Sequence, residues 1–328
     1  MFASLLRRIR PFKASSTEVV RSNETLPGFV WRASGVHQFY VGSLAIAVAL
    51  LNFAPIDLQR RIVDDAISNR DVNALLLLGA FYLAIVVIQG ALKYALLVYQ
   101  GWVGESAVKT ARDQLVIVAS GRASRDGATS GQTVNVIGRE IDNVGGFVGT
   151  SISEFVVNLT LLIAVAGYML YIQPVIALVS AVFLVPQVLL ARYLQADLNM
   201  LVQRQVGLVR RLGDETVTQA ASKFKSTGKE FRTIRAIFRN RISYYFFKYG
   251  LKTQLSVANA VGTMVVLIVG GYLVIQGQAT IGVVVAFVSG FERISGPLHD
   301  LLNFYREYEQ AKVQLKMIVK WVEGKQEA

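Results

Sequence analysis

Six apolar blocks, separated alternately by long and very short connections, constrain this chain more than any other feature. They run roughly Phe39–Ile56, Val72–Tyr99, Phe147–Ile172, Val175–Leu194, Leu255–Ile275 and Ile281–Leu302, the sixth more polar than the rest. About 20 predominantly apolar residues are needed to cross the hydrocarbon core of a bilayer, so each block predicts a transmembrane helix. Gln173-Pro174 divides the third block from the fourth, because proline cannot continue a helix, and "QGQAT" divides the fifth from the sixth. Two tight hairpins on one side of the membrane thus face long connections on the other. Composition agrees: 53% hydrophobic residues, 17% charged and a mean hydropathy of +0.44 belong to an integral membrane protein.

Charge sets the orientation. Of 34 Lys and Arg, all but Arg60, Arg61, Arg70 and Lys93 fall on or at the edge of residues 1–36, 100–146, 195–254 and 303–328, which must share one side. Basic residues accumulate in cytoplasmic loops, so both termini and both long connections are expected to be cytoplasmic, in a bacterial inner (plasma) membrane. A net charge of +12 would also suit nucleic acid, but these cations lie between apolar blocks, and no nucleic-acid partner is expected. The absence of cysteine excludes a disulfide scaffold, a thiolate metal site and a cysteine nucleophile. With His37 and His299 far apart, no metal centre is expected either.

The connections do not read as loops. Between Ala191 and Leu255 there is no proline, and apolar residues such as Leu198, Leu201 and Val202 keep helical spacing. A structureless loop of that length is improbable in a compact protein. The fourth and fifth helices are therefore predicted to run far out of the membrane and turn near Ser226-Thr227-Gly228. The second and third do likewise, meeting around "SGRASRDGATSGQ", Ser120 to Gln132. At the N-terminus, "MFASLLRRIRPFK" lacks the apolar run and cleavage site of a signal peptide. Phe2, Leu5, Leu6 and Ile9 beside Arg7, Arg8 and Arg10 suggest instead a short helix on the inner membrane surface.

The stretch "KFKSTGKEFRTIR", Lys223 to Arg235, contains a Gly-Lys pair of the kind that closes a phosphate loop. Such a loop needs a glycine five residues earlier and a hydroxyl after the lysine to hold magnesium. Lys223 and Glu230 occupy those places, and Gly324-Lys325 fails in the same way. The sequence carries no recognisable ATP site, and no covalent chemistry is expected of it.

Six helices, short outer connections and two long inner hairpins resemble the transmembrane domain of ATP-binding-cassette exporters. Three stretches carry the resemblance in order: "TSGQTVNVIGREIDNV" (Thr129 to Val144), "DETVTQAASKFKSTGKE" (Asp214 to Glu230) and "ATIGVVVAFVSGFERISGPLHDLLNFYREYEQAKVQLKMI" (Ala279 to Ile318). The resemblance implies an all-α membrane protein of six transmembrane helices with long cytoplasmic helical extensions. It divides the chain into an N-terminal segment (1–36), the six-helix domain (37–320) and a short cytoplasmic tail (321–328). It further implies a homo- or heterodimer, alternating access, and inner turns that form coupling helices against a nucleotide-binding ATPase subunit. Ser124, Arg125 and Asp126 in the first turn, and Phe224, Lys225, Lys229, Glu230 and Phe231 in the second, are the coupling candidates. Phe224 and Phe231 are the most informative, since aromatic residues at an exposed turn favour an interface, whereas each lysine also suits a solvated face. The sequence ends at "WVEGKQEA", so ATP and magnesium are expected on a separate polypeptide, with no cofactor in this chain.

Ionisable residues inside a span mark pathways or interfacial anchors. Lys93, Glu154 and Arg192 lie towards the inner ends of their spans, where long side chains snorkel. In the sixth block Ser289, Glu292, Gly296, His299 and Asn303 recur at steps of 3, 4, 3 and 4, on one helical face, with Arg293 beside Glu292. Such a stripe avoids lipid and therefore meets either a neighbouring helix or a water-filled cavity. Ser289, Glu292, Arg293, His299 and Asn303 are the cavity candidates, with Tyr40, Asn52, Gln89, Asn158 and Asn259 as further polar residues of the wall. Gly262, Gly270 and Gly271 read as close helix contacts. The alternative function is a proton-driven peptide transporter of the SbmA/BacA type, with Glu292 or Glu154 titrating in the membrane.

Overall fold

The computed structural model describes residues 10–12, 20–21, 24–126, 136–221 and 228–323. Every regular element among them is helical. Helix α1 (Leu26–Ser34) opens on Thr25, whose hydroxyl accepts the Gly28 N–H at 3.3 Å, with Pro27 in its first turn. It buries Leu26, Phe29 and Ala33. The basic amphipathic stretch Phe2 to Ile9 lies outside the described residues.

Helix α2 (His37–Arg61) carries the first apolar block and passes into a π-helical turn, Ile62–Ile67. Arg70, with φ of 56°, reverses the chain, and Asp71 caps α3 by accepting the N–H groups of Asn73 and Ala74. Helix α3 (Val72–Asp126) has 55 residues, about 80 Å, more than twice the thickness of the hydrocarbon core. The third block begins as a π turn (Val136–Glu140), continues as α4 (Ile141–Gly146) and a second π turn (Phe147–Ser151), and ends as α5 (Ile152–Ile172). After Gln173 alone, α6 (Pro174–Ala221) starts on its proline and runs 48 residues. Helices α7 (Lys229–Ile275) and α8 (Ile281–Glu323) have 47 and 43 residues. Between them Gly277, at φ of 71°, closes α7: its N–H meets the Val274 carbonyl and that of Gln278 the Leu273 carbonyl. Thr280 then caps α8 through the Val283 N–H.

Among the described residues five helical stretches are long and apolar enough to span a membrane: His37–Ile67, Val72–Gly121, Val136–Ile172, Glu230–Ile275 and Ile281–Glu323. The fourth block lies on α6, which is apolar over Pro174–Phe183 and remains so in sequence to Leu190. The described parts of the long connections are helix; residues 127–135 and 222–227, where the two turns are expected, lie outside the described residues.

The chain divides into two compact units, Met1–Tyr168 with Gly296–Ala328, and Met169–Ser295. In the first, α3 meets the start of the third block through glycines. A methyl group on Gly149 would lie 2.6 Å from the Gln100 carbonyl oxygen and 2.9 Å from Gly104 Cα. Leu96, Val103, Ala107, Ile141, Val144 and Leu315 are buried around this seam. Trp321 is buried in the same core, and α8 runs to Glu323. In the second unit Gly262 faces the Phe291 ring and Gly270 faces Val284. Gly271 has open space beside it, so two of the three glycines read as close contacts make one and the third does not.

Candidate functional site

The hairpin that α3 makes with the start of the third block is pinned by side chains. Arg112, on the part of α3 beyond its apolar block, donates to the carbonyls of Ile137 (3.0 Å) and Gly138 (3.2 Å) and to Asp142 Oδ1 (2.6 Å). One guanidinium thus locks the helix leading into the turn to the helix leading out. The Arg112–Asp142 pair is exposed, so its worth lies in fixing register rather than in free energy. Ser124, Arg125 and Asp126 form the end of α3. Deeper in the same seam Gln100 Nε2 donates to Ser153 Oγ at 2.7 Å, both residues buried.

The hairpin of α6 and α7 has a comparable pin. Asn240, buried on α7, donates to the Leu201 carbonyl (2.9 Å) and to Gln205 Oε1 (3.0 Å) on α6. Gly228, at φ of 70°, starts α7, which places Lys229, Glu230 and Phe231 on the first turn of this 47-residue helix. Phe231 is 64% exposed and Glu230 half-buried. Phe224 and Lys225 lie outside the described residues.

The polar stripe of α8 is continuous in helix, because Pro297 does not interrupt it. Ser289, Arg293, His299 and Asn303 are half-buried, and Glu292 is exposed. Within the first unit, further along the helix, Glu307 accepts a 2.6 Å hydrogen bond from Ser151. Phe304, on the same helix, is stacked on Phe147 and lies 4.5 Å from the Phe155 ring centre. Asn52 and Gln89, read as residues of the wall, hydrogen-bond each other between α2 and α3. Tyr40 is exposed, while Asn158 and Asn259 are half-buried.

Sequence reasoning missed two clusters of the first unit. At the start of α2, His37 Nδ1 shares a 2.7 Å hydrogen bond with Tyr99, within a group formed by Phe12, Tyr40 and Trp102. Trp102 Nε1 donates to the Arg10 carbonyl, and Gln114 holds both the N–H and the carbonyl of Val20. The segment before α1 is thereby strapped to α3. At the far end of α2, Asp57 accepts from Arg60, Arg61 and the Tyr168 hydroxyl (2.6 Å), tying α2 to α5. The signal for both was present as aromatic and charged residues bordering apolar blocks. Their pairing across more than 60 positions was not readable.

Chemically, these groups can hold, orient and release. Among the described residues no cluster of His, Cys, Asp or Glu is arranged to hold a metal ion. Compared with known families, residues 39–209 match the ABC transporter transmembrane region, just over half of the chain. No curated protein matches it.

Proposed function

Since the chain belongs to the ABC transporter transmembrane region family and is a multi-pass membrane subunit of that kind, we propose that it moves its substrate outward by alternating access. ATP would be hydrolysed on a separate nucleotide-binding subunit, with magnesium. The observation that carries the reading is the continuity of α3, α6 and α7 from the apolar blocks to the two inner turns. A helix of that length acts as a lever: a ligand-driven shift at its tip biases which packing of the bundle is favoured. Arg112 and Asn240 support this by keeping each hairpin from splaying.

In this reading the inner turns dock on the ATPase, Phe231 and Phe224 being the anchors and Ser124, Arg125, Asp126, Lys225, Lys229 and Glu230 the rim. The face of α8 with Ser289, Glu292, Arg293, His299 and Asn303 lines the route, in a dimer of membrane subunits. The long connections and both termini lie in the cytoplasm, in a bacterial inner membrane, following the distribution of Lys and Arg. The family match does not favour the proton-driven alternative.

Purification from native membranes in mild detergent tests the proposal. A stoichiometric partner with a phosphate loop and vanadate-sensitive ATPase activity is expected. A chain that purifies alone, with transport abolished by a protonophore, would overturn it. In the complex, Phe231→Asp is expected to lower transport about tenfold, the loss of one interface anchor, with the bundle still folded. Unchanged transport and ATPase rates in both Phe224→Asp and Phe231→Asp would remove the coupling assignment.

A further inference from the structure

In the first unit, the far end of α2 is joined to α5 by the cluster around Asp57. The Tyr168 hydroxyl donates to Asp57 Oδ1 at 2.6 Å, and Arg60 Nε reaches both partners, 3.2 Å from Asp57 Oδ1 and 3.2 Å from the Tyr168 oxygen. The Phe53 ring meets the Tyr168 ring edge-on, with centroids 4.9 Å apart. Closer to the middle of the span the same two helices are closed to solvent, with Ile56 on α2 and Val165 on α5 fully buried. Leu161, Val165 and Tyr168 follow one another at steps of 4 and 3, on one face of α5. The polar cluster thus stands between this buried face and the nearer end of the helices.

What sets this link apart is what it leaves behind when it parts. Asp57 also accepts from Arg60 Nη2 at 3.0 Å and from Arg61 Nε at 2.6 Å, three and four positions along its own helix. Its carboxylate therefore stays paired without α5, and so do both arginines. The side chains of Asp57 and Arg60 are partly exposed, so water can take the place of the tyrosine. Separating α2 from α5 here strands no charge, and it gives up one interhelical hydroxyl bond and one ring contact. The link between α3 and α5 is of the opposite kind. Gln100 and Ser153 are both buried, and parting them would leave the Gln100 amide N–H groups without an acceptor, the costly case for a polar group away from water.

We propose that Tyr168, Asp57 and Arg60 form a releasable latch at the outer end of the subunit, holding α2 against α5 while the outer side is closed and letting them part when it opens. The inference rests on the alternating access and the orientation given under Proposed function, since a substrate that leaves outward needs the outer helix ends to separate. A latch of this kind acts on populations: it favours the closed packing by the one bond that opening exchanges for water, a shift of about threefold. Tyr168 is a positioning residue in this scheme, because it acts through α2 on how often the route is open.

Because the chain has no native cysteine, a single thiol behind the latch reports its opening. Val165→Cys, in the full chain with any subunit that co-purifies and reconstituted in nanodiscs, is reacted with a charged, membrane-impermeant methanethiosulfonate. Labelling is expected to be slow without nucleotide, and Tyr168→Phe should make it about threefold faster. ATP with vanadate should speed labelling and bring the two forms to the same rate, since a latch already released has nothing left to hold. Ser153→Ala, which removes an interhelical bond deeper in the same unit, should leave the rate unchanged. Helix content and melting of each variant are checked in parallel. Equal acceleration by Tyr168→Phe and Ser153→Ala would mean general loosening, and no acceleration by Tyr168→Phe would mean that the bond holds nothing shut; either result overturns the latch. A nucleotide response that is the same with and without the tyrosine hydroxyl removes the latch alone. A threefold effect of Tyr168→Phe with no nucleotide response in any form would keep the latch and remove the ATP-driven reading. Labelling of Gly228→Cys from outside the cell by an impermeant maleimide would defeat the orientation, and the outer latch with it.

Discussion

The two units are held together by different chemistry. In Met1–Tyr168 with Gly296–Ala328, polar side chains bridge neighbouring helices from one end to the other: Asp57 with Tyr168, Asn52 with Gln89, His37 with Tyr99, Gln100 with Ser153 and Ser151 with Glu307. In Met169–Ser295 the described contacts include glycines against Phe291 and Val284, the Gln173 side chain donating to the Gln278 carbonyl, and Asn240 pinning the hairpin beyond the apolar blocks. The difference has a mechanical meaning in lipid. Apolar helix faces gain little by leaving acyl chains for one another, so they can slide or exchange neighbours at low cost. Hydrogen bonds in the same medium are directional and fix register. In the first unit, directional contacts of this kind hold neighbouring helices in register.

The largest test of this contrast is at the glycine seam of the first unit. Gly149→Leu would drive a side chain into the Gln100 carbonyl and the backbone of Gly104, which have no flexible end to move aside. A cost of about 3 kcal/mol or more is expected, seen as lost folded yield or a sharply lowered melting temperature in detergent. A tolerated leucine would show that this seam opens freely.

Next comes the cluster joining α2 to α5. Asp57→Ala removes the acceptor shared by Arg60, Arg61 and Tyr168 and is expected to cost about 2 kcal/mol. Tyr168→Phe removes one hydroxyl and leaves both arginines paired, for roughly 0.6 kcal/mol, as is usual for an interhelical hydrogen bond in a membrane. Thermal unfolding of both variants measures the ratio. Equal effects would mean that the tyrosine, rather than the carboxylate, organises the cluster.

How much of this was legible in the sequence follows the same division. Spans and turns were readable because they depend on local properties: block length, Pro174 opening α6, and Gly277 closing α7. The glycines of the second unit were also readable as contacts, at two positions of three. The polar cross-links of the first unit were not. Ser151 and Glu307 are 156 positions apart, and nothing in a hydropathy pattern says which polar residue of one helix meets which of another. Asn52 and Gln89 were readable singly as polar residues inside spans, but their pairing was not. The π turns at Ile62–Ile67, Val136–Glu140 and Phe147–Ser151 left no sequence signal, since the extra residue in each is set by tertiary packing. Helix α1 did leave one, Thr25 capping a turn that contains Pro27, overshadowed by the more basic stretch before it.

The smallest effect gives the sharpest comparison, because it concerns two adjacent residues of one helix. Gly270 and Gly271 share backbone conformation and depth in α7, and differ in what lies beside them. A methyl group at Gly270 would come 2.9 Å from Val284 Cγ2 and 3.3 Å from its Cγ1, while at Gly271 it meets nothing within 4 Å. Alanine in a helix interior gains about 0.5–1 kcal/mol over glycine by restricting the unfolded chain. At Gly271 that gain stands alone, and Gly271→Ala should raise the melting temperature slightly. At Gly270 the crowding of Val284 opposes it, and because the obstacle is a side chain able to rotate, the net change should be a few tenths of a kcal/mol of destabilisation. Opposite signs from neighbouring glycines would show that the second unit is held by local fit at particular positions. Equal stabilisation at both would mean that α7 and α8 are packed loosely enough to take a methyl group anywhere, which is what an element that changes neighbours requires.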